Sequence, residues 1–151
     1  MAHSQTKIWI HGIVGTKDRE PLIREEMENK MYEHIKNKLE NELDCKLRKI
    51  NGDKDHIHIL FLLSPLFSIK DIMQNLKGET SHWINQNEIT KFKFAFQIGY
   101  GAYSVSESKL NEIEKYIDNQ KEHHRKMTFK EEYELFMKKH GIGLETVKTV
   151  I

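Results

Sequence analysis

Two rhythms of apolar and polar residues run along this chain, and they divide it into strands and helices. Lys7 to Gly15 reads as a first strand. After Pro21 the apolar residues Met27, Met31, Ile35, Leu39 and Leu43 recur every fourth position, which places them on one stripe of a helix. Cys45 to Asn51 and His56 to Leu63 read as two further strands, with Asn51-Gly52-Asp53 supplying hairpin-turn chemistry between them. Ser68 and Asp71 resemble a capping box, and Ile69, Ile72, Met73, Leu76, Trp83 and Ile84 follow at helical spacing. Phe92, Phe94 and Phe96 alternate with Lys93 and Ala95 as a fourth strand running on toward Ser104. From about Ser106 a third helix carries Leu110, Ile113 and Ile117. Thr128-x-x-Glu131 opens a fourth, which Gly141 can close.

The resulting order, β-α-β-β-α-β and then two more helices, defines an α+β protein. Its predicted form is a ferredoxin-like antiparallel sheet with two additional C-terminal helices. Both early helices fall on one face of that sheet, leaving the other face for a site or a partner. A length of 151 residues fits a single domain over 1–151. With 38% hydrophobic and 31% charged residues, the composition is that of a globular chain rather than a disordered or membrane-embedded one. No run approaches the length of a membrane span and no secretory leader is evident, so the expected location is the cytoplasm. The lone Cys45 has no partner for an internal disulfide, and no role is assigned to it. A net charge of +1 does not mark the whole molecule as a nucleic-acid binder. Contacts with phosphate would come from local clusters, at Lys46, Arg48 and Lys49, at Lys91 and Lys93, and around Lys121, Arg125 and Lys126; each cluster alone reads more readily as solvated surface.

His56 and His58 are two apart in a predicted strand, so both imidazoles share one face and can meet a single cation. Among nine histidines this spacing arises by chance in roughly half of such chains, so the pair alone has little specificity. Asp55 stands ready as an acceptor behind one ring. Tyr116 and Gln120 sit at i and i+4 of the third helix, where their side chains can reach one point. A phenol needs a cation or base to act as a nucleophile near neutrality, and an amide oxygen is a fit ligand for Mg²⁺ or Mn²⁺ beside imidazole. Read alone, Tyr116 is more often a partly buried helix aromatic and Gln120 a surface residue. Lys17, Arg19, Lys77 and Ser81 are candidate phosphate contacts, each also an ordinary surface type. The three alternating phenylalanines read more readily as core than as base-stacking platforms, and His123 and His124 as surface.

In order and spacing these blocks resemble the HUH single-tyrosine transposases of small bacterial insertion sequences, the TnpA-like family. The resemblance rests on Thr16-Lys17-x-Arg19, on Asp55-His56-Ile57-His58-Ile59-Leu60, and on Lys77-Gly78-x-Thr80-Ser81. It continues through Gln97-x-Gly99-Tyr100-Gly101-Ala102-Tyr103-Ser104-Val105-Ser106 and Tyr116-Ile117-x-x-Gln120, with His123-His124 behind. Phe96 stands where the family often has tryptophan, and Tyr103 where it usually has phenylalanine.

The resemblance implies an enzyme that cleaves and rejoins single-stranded DNA at element ends. Tyr116, on a helix near 106–121, would form a 5′-phosphotyrosine, and His56, His58 and Gln120 would hold Mg²⁺ or Mn²⁺. It also implies recognition of DNA hairpins and a homodimer in which the tyrosine helix of one subunit can complete the histidine site of the other. A non-catalytic hairpin-binding relative is the alternative, although such a protein would not need all four site residues.

Overall fold

The computed structural model describes residues 4–139. Its four strands are β1 (Trp9–Gly15), β2 (Lys46–Asp53), β3 (His56–Leu62) and β4 (Gly101–Val105), joined in the order β2-β3-β1-β4 with every neighbouring pair antiparallel. Helix α1 (Glu25–Asn37) links β1 to β2, and α2 (Ile69–Gln86) links β3 to β4. This is the expected ferredoxin-like α+β arrangement. Strand alternation sends Ile10, Val14, Ile57, Ile59 and Phe61 to one side, where they pack on Met27, Met31, Ile35 and Leu39 of the first helical segment and on Ile72, Met73, Leu76 and Ile84 of α2. Ser68 accepts the Asp71 amide at 3.0 Å and starts α2 as its sequence predicts.

The other sheet face is not left open. Helices α3 (Leu110–Asp118), α4 (Gln120–His123) and α5 (Phe129–Lys139) lie beyond β4 in the chain, and side chains of α3 and α5 pack on that face. Trp9 and Leu60 meet Leu110 and Ile117 of α3, while Ile13 meets Phe129, Tyr133 and Met137 of α5. The start of α5 is a reciprocal capping box: the Glu131 amide donates to Thr128 Oγ1 at 3.2 Å, and the Thr128 amide donates to Glu131 Oε1 at 3.3 Å. Gly141, the expected helix stop, lies outside the described residues.

Three expectations need correction. The Phe92–Phe96 alternation does not form a strand. Phe94 exchanges both backbone hydrogen bonds with the side-chain amide of Asn85, at 2.8 Å each, so its backbone groups are satisfied without a neighbouring strand. Phe94 is nevertheless fully buried, and Phe96 makes a single bridge to Thr16. The hairpin turn falls at Lys54–Asp55, not at Asn51-Gly52-Asp53, which remain in β2. Asn51 instead donates to the carbonyls of Ile117 and Asp118 at 3.0 and 3.2 Å and so caps the end of α3 from the neighbouring strand. The predicted helix through 121 is interrupted at Asn119 (φ −93°, ψ 17°), which separates Tyr116 from Gln120.

Gly52 and Gly78 make opposite demands on a methyl group. A Cβ on Gly52 would lie 2.1 Å from the His56 carbonyl oxygen, whereas one on Gly78, in the middle of α2, meets nothing within 4 Å. Gly52→Ala is therefore expected to destabilise the protein by about 1–3 kcal/mol through overpacking. Gly78→Ala should stabilise it by about 0.5–1 kcal/mol by removing helix-interior glycine freedom. Thermal melting of the two variants beside the parent measures both signs, and equal midpoints would contradict this packing.

Candidate metal centre

On the face covered by α3 and α5, strand alternation places His11 of β1 and His56 and His58 of β3, none more than 1% exposed. Each of the two β3 imidazoles is held by a partner at Nδ1. His56 Nδ1 lies 2.8 Å from Asp55 Oδ1, and His58 Nδ1 lies 2.8 Å from His11 Nε2. A proton on each Nδ1 leaves both Nε2 lone pairs directed into the site, the tautomer a metal ligand requires. Asp55 thus takes the supporting place expected of it.

Three further side chains converge on those nitrogens. Gln120 Oε1 lies 2.8 Å from His56 Nε2, although Asn119 breaks the helix between it and Tyr116. Glu132 Oε1, from α5, lies 3.2 Å from His58 Nε2 and 3.7 Å from His56 Nε2, and its Oε2 accepts from Gln120 Nε2 at 3.2 Å. His124 brings its Nε2 to 3.3 Å from Glu132 Oε1, outside good hydrogen-bond geometry but well inside electrostatic reach. His56, His58 and Glu132 present ligand atoms within 4.8 Å of one another and are all buried. Two imidazole nitrogens, a carboxylate oxygen and a nearby amide oxygen form a donor set that fits a divalent cation such as Mn²⁺ or Mg²⁺.

Tyr116 borders this cluster, half-buried. Its ring lies 5.7 Å from that of His58 and 4.9 Å from that of His123. Burial, with the Glu132 charge second, pushes its hydroxyl well above the ordinary phenol range. Burial alone would raise Glu132, but the His124 and His58 imidazoles beside it outweigh that, and the carboxylate is held well below its usual range. Burial lowers His58 to about 4, against the pull of Glu132. Burial also opposes the charge on His124, yet the adjacent Glu132 carboxylate wins, and its pKa rises. At neutral pH the cluster therefore holds a carboxylate, a neutral His58 and a readily protonated His124.

The expected site residues divide accordingly. His56, His58, Gln120 and Tyr116 come together within this one chain. His124, read from sequence as surface, turns inward with its side chain only 5% exposed. Lys77 and Ser81 lie on α2, the helix on the opposite sheet face. The Lys77 ammonium donates to the carbonyls of Gln97, Ile98 and Gly99 and is only 8% exposed, so it secures the loop before β4 rather than facing solvent as a phosphate contact. Lys17 and Arg19 form a short 3-10 turn after β1, exposed and half-exposed respectively. Arg19 shares a surface cleft with Asp55 and His124, next to the metal cluster.

Sequence reading missed Glu132 and His11. His11 was findable, because it shares the alternation of Trp9 and Ile13, on the face that His56 and His58 occupy in the next strand. Glu132 carried a fainter signal, an acid directly beside the α5 stripe Phe129, Tyr133 and Met137.

A model of the IS200-like transposases matches residues 4–120. Among solved structures, a protein described as a transposase from Deinococcus radiodurans R1 aligns at TM-score 0.60 and 23% identity, over 80% of this chain and 98% of its own. A REP-associated tyrosine transposase bound to a REP hairpin aligns at TM-score 0.60 and 12% identity, over 82% of this chain and 74% of its own. At these identities the likeness is one of fold. No curated protein matches the chain.

The protonation pattern and the donor set are open to direct test. In metal-free protein His58 should remain neutral at pH 5.5 while His124 takes up its proton at higher pH than an ordinary histidine, read by long-range ¹H–¹⁵N correlation of the imidazoles; a charged His58 at pH 5.5 would contradict the buried arrangement. The sign for stability follows. A depressed His58 contributes stability that is complete above about pH 6.5 and is lost as pH falls toward 4, because only the unfolded chain takes up the proton. Addition of Mn²⁺ at about a hundred times its dissociation constant should stabilise the fold by about 2.7 kcal/mol. The increase in melting temperature should largely vanish in His58→Ala and Glu132→Ala.

Proposed function

The chain belongs to the IS200-like transposase family, which the match over residues 4–120 establishes, and from that premise we propose that it cleaves and rejoins single-stranded DNA with Tyr116 as nucleophile. The observation that carries this reading is the meeting of Tyr116 with His56, His58, Gln120 and Glu132 at one buried point. An ionisable hydroxyl has no packing reason to lie against a carboxylate and two imidazoles. Such a cluster is suited to drawing a phosphodiester to the phenol.

His56 and His58, with Gln120 and Glu132, are the residues to hold a divalent cation. When bound, that ion supplies Lewis acidity at a phosphate oxygen and orients the group for in-line attack. The chain's own residues do the rest. Tyr116 Oη forms the bond to phosphorus as the bond to the 3′-oxygen breaks, giving a 5′-phosphotyrosine and, after that oxygen takes a proton from water, a 3′-hydroxyl. The phenol proton passes toward Glu132, the carboxylate whose charge bears on the hydroxyl. Attack by another 3′-hydroxyl on the phosphotyrosine reverses the step and joins the strands without a nucleotide cofactor.

Lys17 and Arg19, near the cluster, are proposed to steer the strand's phosphates. A DNA hairpin is the proposed recognition element, supported by the hairpin bound to the REP-associated relative. A homodimer is proposed for assembly, with each chain carrying its own cluster.

Incubation with labelled single-stranded DNA from the element end, with Mg²⁺ or with EDTA, should yield a covalent protein–DNA band only with metal. Tyr116→Phe should abolish it, a loss of at least a thousandfold on the scale of nucleophile removal. Cleavage that survives in Tyr116→Phe would assign the attack to water. Hairpin binding without any adduct would support a non-catalytic binder.

A further inference from the structure

A cavity of about 510 Å³ opens beside Tyr116, between β4, α3 and α5, and none of the groups assigned above accounts for it. Its walls include the rings of Tyr116, Tyr103 and Phe136 and the aliphatic side chains of Val105 and Ile113. Ser104 and Ser106 add hydroxyls, and Lys109 of the turn before α3 and Lys139 of α5 bring two ammonium groups. Glu112 also lines it and pairs with Lys109 at 3.3 Å, both largely exposed, so that ion pair offsets little of the local positive charge. His11 closes the deep end, where its ring stands at 90° to Phe136 with centroids 5.0 Å apart.

We infer that this cavity is a nucleotide subsite, which takes the unpaired base next to the phosphate attacked by Tyr116. The inference rests on the strand-cleavage reading and deepens it. A phosphate drawn to the Tyr116 hydroxyl brings an adjoining sugar and base within a few ångströms. His58 and His123 already lie against the Tyr116 ring and are not among the residues that line the cavity. The cavity is the volume left beside the ring, and its chemistry suits a base: aromatic and aliphatic walls for the flat face, hydroxyls for the polar edge, and ammonium groups for the flanking phosphate. The volume falls in the range of pockets that enclose a small ligand, about 300–1,000 Å³. Base stacking on protein aromatics is worth about 1–3 kcal/mol per base and does not demand a particular sequence.

Two variants read the cavity without touching the proposed catalytic groups. Phe136→Ala removes a stacking wall, and Ile113→Trp fills the volume. Binding of a fluorescein-labelled octamer of deoxythymidine, followed by anisotropy in EDTA so that no strand is cut, should weaken about tenfold in each, equivalent to about 1.4 kcal/mol. An octamer carrying 5-iododeoxyuridine should photocrosslink to Phe136, Tyr103 or Tyr116 of the parent protein, mapped by mass spectrometry.

Unchanged affinity in either variant that melts as the parent does, or a crosslink absent or lying only on surfaces outside the cavity, overturns the subsite. If both variants fail to fold, the crosslink on the parent protein decides alone. Neither readout requires a covalent adduct. Loss of the tyrosine chemistry with the crosslink intact would therefore defeat the cleavage reading by itself, and a correct adduct with the crosslink elsewhere would defeat only this one.

Discussion

A single buried carboxylate organises this face of the protein. Glu132 is 5% exposed, and a charge so removed from water is tolerated only where hydrogen bonds and opposite charge replace its hydration. Here His58 comes from β3, Gln120 and His124 from α4 and the segment that follows it, and Tyr116 from α3. Four separate pieces of chain must therefore be in register before α5 can dock at low cost. The apolar contacts of Phe129, Tyr133 and Met137 give α5 its adhesion. The carboxylate gives that adhesion one address, since a slip by a single residue would bury the charge without partners.

The same economy of partners explains what was legible in the sequence. Features that need only near neighbours were readable: the alternation that turns His56 and His58 to one face, the stripe from Met27 to Leu43, and the caps at Ser68 and Thr128. Features completed by a distant segment were not. Phe92 to Phe96 has strand alternation, but Asn85, on a helix that precedes it in the chain, takes up the backbone of Phe94. Asn51 and Gly52 have turn chemistry, yet Asn51 spends its amide on the end of α3. The interruption at Asn119 follows the same logic, for that cap is supplied by β2 and not by the helix's own residues. Resemblance to a family supplied Tyr116 and Gln120, which spacing alone left as a helix aromatic and a surface amide. It could not supply Glu132, which lies beyond the matched residues 4–120.

Charge tells a related story about DNA. Several basic residues that seem available in the sequence are engaged within the fold. Arg48 reaches Glu114 at 2.6 Å, Lys49 reaches Asp118 at 2.8 Å and Lys121 reaches Glu28 at 2.8 Å. These pairs fasten α3 and α4 across the edge strand and onto α1. A net charge of +1 is thus compatible with a DNA-handling fold that neutralises few phosphates at once, for which affinity depends less steeply on salt than for a strongly basic binder. Selectivity would then rest on shape and stacking more than on long-range attraction.

The turn between α4 and α5 has a kinetic meaning of its own. Only residues 124–128 separate the two helices, so Glu132 is tethered close to Gln120 and His124. Short tethers of this kind correspond to effective concentrations in the millimolar range. On the strand-cleavage reading, an incoming phosphate would share the site with this carboxylate and would bind productively only when the remainder of the strand supplied enough binding energy. Loose, nonspecific single strands would be rejected at the active centre itself, by mass action and without any dedicated proofreading element.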